Sequence, residues 1–572
     1  MIQKRTFSIF SRFFIGITLL SLGSYCSAAA LQNNIIIQGV TPKIRLNIEH
    51  RLLEISRTHP LITETDDALK EQVKQAMYPY GFFNPHIVIR EKSATRLSLM
   101  IQRGSPMLIT DIRLSLKGEG KEDADLLAAM ANFPIKPFTT LNSIKYDKAK
   151  QAWLDLAERA GYLAALFDKA EIAIDSARNT CTIILELNSG YRYFFGQARF
   201  DPGYISPELF HRYIPFHQGA PYSNDEVMAF NNALTRSGYF KSVTIESTYL
   251  KNHEIDLNVH TQPVSRTHYS LGLGYGTDTQ IRARASLHVV PVNRAGHKFD
   301  AVAQASANES ALQAQYIIPG KNPLVDQYEI TARAASLNYD VGYANSALIS
   351  LGQRHTTDRF QRILSLNGLY ERFNYTSQPK SENFSLYPKL ALNWVSARDQ
   401  LFSPTGYKIA VNGLVANKAL LSDTTISQVL LDARAAVTFK ASHTRFYFHG
   451  MAGATAINDI YHLPLSLALL LGGSDNLKGY NFYSLGPGKQ LTYGGIEIQQ
   501  ETKKNWYVLG FYDSGDVFSP NPRDVKQDVG VGLMWVSPVG PIKIAVAKPI
   551  NVDPHQHNNT GAKLVISMGP DL

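Results

Sequence analysis

The sequence predicts an all-β transmembrane barrel of about 16 antiparallel strands, preceded by three small α+β domains. Three observations predict it. From about Val264 to the C-terminus, apolar and polar residues alternate strictly in segments of about ten, the length and period of a membrane strand with one face in lipid. Ahead of that stretch, residues 31–264 carry a repeat with a period near 80. Across all 572 residues, hydrophobic residues are 44%, charged residues only 18% and mean hydropathy −0.15. A bundle of membrane helices is far more apolar. A barrel hides its apolar residues one by one between polar ones.

The first element, residues 1–30, reads as a secretory leader. Lys4, Arg5 and Arg12 supply the positive flank, Phe13 to Gly23 the apolar core, and Ala28-Ala29-Ala30 a small-residue cleavage site. Tyr25 before Cys26 is too bulky for a lipidation site. Cleavage removes three positive and no negative charges, so a formal net charge of +9 falls to +6. That mild excess, without a basic run, does not point to nucleic acid. Cys181 then stands alone, which excludes an internal disulfide in the mature chain. The longest later apolar run, Leu463 to Leu471, is far short of the roughly 20 residues a membrane helix needs. A membrane form of this chain must therefore be a barrel.

The repeats come next. Gly81-Phe82-Phe83, Gly161-Tyr162-Leu163 and Gly238-Tyr239-Phe240 lie 80 and 77 residues apart, and each glycine is placed to end an amphipathic helix in the left-handed conformation. In the third copy Ser223 and Glu226 form a capping box ahead of Val227, Phe230 and Leu234 on one face. In the second, Tyr146, Ala149, Trp153 and Leu156 form that face. Strand-like runs follow each helix, at His86–Glu91 and Leu97–Gln102, Phe167–Ile174 and Thr182–Leu187, Val243–Thr248 and Ile255–His260. Another opens each copy, at Asn34–Val40, Leu108–Leu116 and Arg192–Phe200. The predicted order is β-α-α-β-β in 31–105, 106–190 and 191–264.

Residues 265–572 form the predicted barrel. In one strand Arg282, Arg284, Ser286 and His288 share a face opposite Ile281, Ala283, Ala285, Leu287 and Val289. In another Asp432, Arg434, Thr438 and Lys440 oppose Leu431, Ala433, Ala435, Val437 and Phe439. About 16 such segments fit into 308 residues, roughly 19 per strand and connection, a barrel figure. The count alone leaves 14 or 18 open.

No signature of catalysis emerges. There is no Gly-x-Ser-x-Gly elbow, His-Glu-x-x-His, phosphate-binding loop or Cys-x-x-Cys. Gly272-Leu273-Gly274-Tyr275-Gly276 has no helix after it and reads as a glycine-rich barrel strand. His555-Gln556-His557 beside Asp553 reads as decoration of the loop before the last strand. Asp513-Ser514-Gly515-Asp516 lacks histidine and aspartate partners. The expectation is a protein that is not an enzyme and needs neither cofactor nor metal.

Five short motifs follow one another near the C-terminus: Asp475-Asn476-Leu477-Lys478-Gly479-Tyr480; Gly494-Gly495-Ile496-Glu497; Phe511-Tyr512-Asp513-Ser514-Gly515; Gly530-Val531-Gly532 through Pro541-Ile542-Lys543; and Gly569-Pro570-Asp571-Leu572. In this order they resemble the barrel end of the outer-membrane insertase superfamily, and within it the TamA subunits of translocation and assembly modules. The three repeats resemble POTRA domains. The resemblance implies 16 strands in the outer membrane of a Gram-negative cell, with the POTRA domains in the periplasm. It implies client outer-membrane proteins, outer-membrane lipid and an inner-membrane TamB-like protein as partners. It also implies a loop near 472–490, between strands 11 and 12, that folds into the lumen. Its tip, Lys478-Gly479-Tyr480, then meets Glu497 on strand 12 and Asp513 on strand 13, beside Gly515. Glycine lets the tip turn sharply and Tyr480 packs against the wall. The family usually has arginine where Lys478 stands, and a lysine is a point charge without the planar fork. A lumen partly wetted by water puts the Lys478 pair nearer the weak range of exposed pairs. Finally, a weak seam between the first and last strands is implied, with Gly569 and Pro570 limiting backbone pairing there. A two-partner secretion transporter shares the fold but usually has two POTRA domains and a plugging helix. A passive porin needs no repeats at all.

Overall fold

The computed structural model describes residues 35–57, 60–93, 96–201, 203–397, 399, 401–519, 525–538, 540–550 and 561–569. The predicted leader, Asp553 with the His555-Gln556-His557 cluster, and Pro570 lie outside these residues. Contacts divide the chain into two units, the third repeat being shared between them.

In the first unit, one repeat runs from strand Ile35–Gln38 through helices Pro42–Ser56 and Asp66–Met77 to strands His86–Lys92 and Leu97–Gln102. The next has strand Leu108–Lys117, helices Ala124–Ala131 and Ser143–Arg159, and strands Leu166–Asp175 and Thr180–Asn188. In both, the last strand is central, parallel to the first and antiparallel to the second. The third repeat, with strands Phe194–Phe200, Phe240–Tyr249 and Glu254–Pro263, has the same order. Each central strand turns alternate apolar residues to the helices: Leu97, Leu99 and Ile101; Cys181, Ile183, Leu185 and Leu187; Ile255, Leu257 and Val259. Gly81, Gly161 and Gly238 take φ of 84°, 95° and 79°, values that tax any side chain and that let each helix stop there. Two of these glycines also join consecutive repeats, because Met107 N donates to Gly81 O and Tyr193 N to Gly161 O, both at 2.8 Å.

Cys181 is 2% exposed, and burial pushes its thiol up from the usual range. The thiolate is the reactive form, so Cys181 of the folded protein should resist maleimide at neutral pH and react fully once urea unfolds this repeat. Rapid labelling of folded protein would show the repeat to be open.

The second unit contains a single antiparallel sheet of 16 strands in sequence order, from Thr267–Gly276 (strand 1) to Lys563–Met568 (strand 16). Their outer face is apolar. Leu271 and Leu273 on strand 1, Ile349 and Leu351 on strand 6 (Gly342–Thr356), and Val531 and Leu533 on strand 14 (Lys526–Ser537) are all exposed. Their inner face buries Glu371, Asn383, Ser385, Arg445, His449, Glu497, Gln499, Asp513 and Asp528. Polar groups inside and apolar ones outside invert the arrangement of a soluble sandwich and match a wall standing in lipid. Strands 7 and 8, Phe360–Tyr375 and Ser381–Ala397, are 16 and 17 residues long, whereas strand 16 has six. The alternation therefore marks only part of the long strands. Tyr239 Oη donates to Gly296 O at 2.6 Å and Lys298 Nζ to Ser237 O at 2.7 Å, fastening the end of helix Asn224–Arg236 to the hairpin of strands 2 (Gln280–Val289) and 3 (Lys298–Ala305).

Strands 11 (Thr444–Ala456) and 12 (Gln490–Lys503) are joined by a long loop with two short strands of its own, Leu469–Leu471 and Leu485–Gly488. The apolar run Leu463–Leu471 lies here. Leu463, Leu465, Leu469 and Leu471 are buried, and they pack with Tyr375, Phe373, Leu369 and Tyr493 of the inner wall. Its hydrophobicity fills the lumen rather than crossing a bilayer.

Candidate functional site

The loop between strands 11 and 12 carries the site, and its tip is held by side chains from the neighbouring wall. Lys478 Nζ lies 2.7 Å from Asp513 Oδ2 on strand 13 (Trp506–Phe518), with side-chain exposures of 13% and 1%. The same ammonium sits 4.5 Å from the centroid of the Phe511 ring. Asp513 Oδ1 accepts from Tyr493 Oη at 2.8 Å, so both carboxylate oxygens are used. The partly wetted pair expected from the sequence is instead a buried one. Leu477, Tyr480 and Tyr493 pack beside it in one apolar cluster.

Gly479 N donates to Asp528 Oδ2 on strand 14 (Lys526–Ser537) at 2.8 Å. Gly479 is not among the positive-φ residues, so a sharp turn is not what it supplies. A Cβ there would lie 2.9 Å from Asp528 Cβ and 3.1 Å from Pro549 N; glycine permits the close approach. Gly515 works alike, since a Cβ on it would meet Thr492 O at 2.8 Å and Leu471 Cδ1 of the loop at 3.2 Å. Tyr480 is buried against Leu469, Leu477 and Leu491.

Glu497 is not the direct partner of Lys478. Its Oε1 lies 2.9 Å from Lys543 Nζ on strand 15 (Gly540–Pro549), and it also accepts from Gln499 Nε2. Gln499 Oε1 in turn accepts from Arg445 Nη1 at 2.8 Å, and Arg445 Nη2 donates to Ser403 O at 2.9 Å. This row of wall residues runs beside the tip. Lys543, Asp528 and Arg445 escaped sequence reading. Lys543 lies within a recognised motif, which is the only local signal that any of them offered.

The residues flanking the tip have their own anchors. Arg434 on strand 10 (Ile426–Phe439) reaches Asp475 Oδ2 at 2.8 Å, and His449 Nδ1 lies 3.0 Å from Asp475 O. Asn476 Oδ1 accepts from Gly472 N at 2.7 Å and from Leu477 N at 2.8 Å. Ser474 N donates to Asp278 Oδ2, in the turn after strand 1, at 2.7 Å. Asn481 Oδ1 accepts from Lys563 Nζ at the start of strand 16. The loop is thus tied to both edges of the sheet. No three acidic, histidine or cysteine groups among the described residues are arranged to hold a metal.

Those edges, strands 1 and 16, form the seam. The hydrogen bonds found across it among the described residues are Thr277 N to Ile566 O at 3.2 Å, Ile566 N to Thr277 Oγ1 at 3.1 Å and Arg282 Nη2 to Met568 O at 3.2 Å. Strand 16 ends at Met568, so Gly569 follows the strand instead of interrupting it. Its φ of +149° favours glycine, and its N–H donates to Pro541 O at 3.2 Å. The seam is short because its last strand is short.

The model of the Omp85 superfamily domain matches residues 264–569, more than half of the chain. The chain belongs to the Omp85 superfamily. Among solved structures it is similar to BamA from Haemophilus ducreyi lacking POTRA domains 1–3, at a TM-score of 0.68 and 15% identity over 81% of this chain and 99% of that one. It is also similar to CdiB from Acinetobacter baumannii, at a TM-score of 0.48 and 11% identity over 92% of this chain and 99% of that one. At such identities the likeness is one of fold. As an Omp85 protein the chain is an outer-membrane barrel, which accords with the apolar outer face of its wall. The Lys478–Asp513 pair sits in the last third of the matched region.

Proposed function

We propose that this Omp85 protein is an insertase component of the TamA type. It assists client outer-membrane proteins, autotransporters among them, to fold into or cross the outer membrane. The observation that carries this reading is the seam. Barrel walls owe their stability to backbone pairing, and unpaired strand edges template the pairing of other chains. A six-residue strand, whose bonds found across the seam run to Thr277 just past strand 1 and to Arg282 of the next strand, is the place where a client strand can add. The three N-terminal α+β repeats are read as POTRA domains, whose edges receive extended segments by backbone pairing and meet an inner-membrane TamB-like partner. No nucleotide site is called for; the client's own folding supplies the driving force.

A two-partner secretion transporter needs a conduit through the lumen. The buried loop residues Leu463, Leu465, Leu469 and Leu471 occupy that space, which favours insertion at the wall. The test is deletion of residues 31–110. Crosslinks to the inner-membrane partner should vanish while the barrel still inserts and stays heat-modifiable on semi-native gels. Unchanged crosslinking would move the docking site elsewhere, and a chain fractionating outside the outer membrane would end the proposal.

A further inference from the structure

The inward loop has an apolar arm ahead of its tip, and other strands of the wall hold it. The arm starts at Leu463, and Pro464 opens a single 3-10 turn, Leu465–Leu467. Such a turn leaves its first N–H groups without partners of its own. Leu467 N donates to Pro464 O at 2.9 Å and Ala468 N to Leu465 O at 3.2 Å, which leaves Ser466 N to be satisfied from outside. Pro464 offers no side-chain cap. Glu371, on strand 7, supplies the acceptor, and Ser466 N donates to its Oε1 at 3.1 Å. Two more wall side chains take the carbonyls on either side. Tyr375 Oη donates to Leu463 O at 2.9 Å, and Gln428 Nε2, on strand 10, to Leu467 O at 2.8 Å.

Period-two alternation sends residues 369, 371, 373 and 375 of strand 7 inward. Leu369 packs in one buried cluster with Leu463, and Phe373 and Tyr375 pack in another with Leu465. Glu371, 0% exposed, is the one carboxylate in that row. A leucine there would suit the row and avoid the cost of burying a carboxyl group. It could not accept the Ser466 N–H. We infer that Glu371 is a positioning residue that sets the arm across the lumen, with Tyr375 and Gln428 beside it, and that the arm so placed seals the lumen against ions. All three bonds reach the arm's backbone, so they fix where the chain runs whatever side chains it carries. The apolar side chains then supply the seal. Leu337, Ala344, Leu414 and Ile426 are buried inner-wall residues of the same two clusters, and departure of the arm would hand this surface to water.

The test is ionic conductance of the full-length protein in planar bilayers, for variants first shown to be heat-modifiable. No client is present, so the outcome does not depend on the insertase reading. Glu371→Leu keeps the row filled but strands one buried N–H, a loss that shifts a docking equilibrium by about tenfold or more. The fraction of time spent conducting should rise by that factor. Glu371→Gln keeps an acceptor oxygen of the same reach and should conduct like wild type. A role in packing alone predicts the reverse ranking, because leucine is the better match to its apolar neighbours. Glu371→Leu conducting like wild type, or Glu371→Gln conducting like Glu371→Leu, overturns the inference. Should Glu371→Leu fail to fold, Tyr375→Phe decides. It removes only the hydroxyl that holds Leu463 O and should also raise conductance; wild-type conductance from it overturns the inference.

Discussion

Asp513→Ala should unseat the lumen loop while leaving the barrel standing. The carboxylate is 1% exposed and holds both Lys478 Nζ at 2.7 Å and Tyr493 Oη at 2.8 Å. Removing it strands a buried ammonium and a buried hydroxyl together. Loss of one partner of a buried pair costs about 3–5 kcal/mol, against roughly 0–1 kcal/mol for an exposed pair. The burial of Lys478 puts this pair in the first class. The wall survives because its 16 strands are held by backbone ladders to which Asp513 contributes no side-chain bond. Protease should therefore cut within 472–490 of a protein that remains heat-modifiable, and client insertion should fall with it. Lys478→Ala should cost about as much, since it leaves the Asp513 carboxylate buried without its cation and directly opposite Asp528. The double variant should be no worse than Asp513→Ala; fully additive losses would show that the two residues are not partners. Lys478→Arg should be tolerated, because the adjoining cavity of about 210 Å³ gives the longer fork room.

A disulfide across the seam should abolish client insertion without touching the fold. Thr277 N donates to Ile566 O and Thr277 Oγ1 accepts from Ile566 N, so the two residues touch across the seam and a cysteine at each is the pair to test for a disulfide. Cys181 is buried and does not compete. Oxidised Thr277→Cys/Ile566→Cys protein should insert no client, and reductant should restore it. A control pair at Leu364 and Leu390, Cα partners on strands 7 and 8, should be silent when oxidised. Full activity of the locked seam would show that clients do not enter there.

What was legible in the sequence was local. Period-two alternation placed Ile281 and Arg282 on opposite faces, and the glycines at 81, 161 and 238 marked helix ends whose positive φ needs no knowledge of distant contacts. The tip of the loop was legible through an ordered set of motifs. Its partners were only half so. Glu497 faces Lys543, and Asp528 caps Gly479, because Asp528 lies directly opposite Asp513 in the register of strands 13 and 14. Register is a property of the assembled sheet, and no single segment announces it. The inward packing of the loop was hidden for a like reason. Leu463–Leu471 carries the same hydrophobicity wherever it packs, and only the closed wall decides that it packs inward.

The contacts of Ser474 with Asp278 and of Asn481 with Lys563 have a thermodynamic corollary. One loop is bound to both edges of the seam, so docking of the loop and closure of the seam share a coupling free energy. Such coupling is reciprocal. Whatever loosening of the loop contributes to parting the strands, a guest strand seated in the seam returns in equal measure as loosening of the loop. The loop then registers occupancy, and its protection from protease becomes a gauge of whether the gap in the wall is filled.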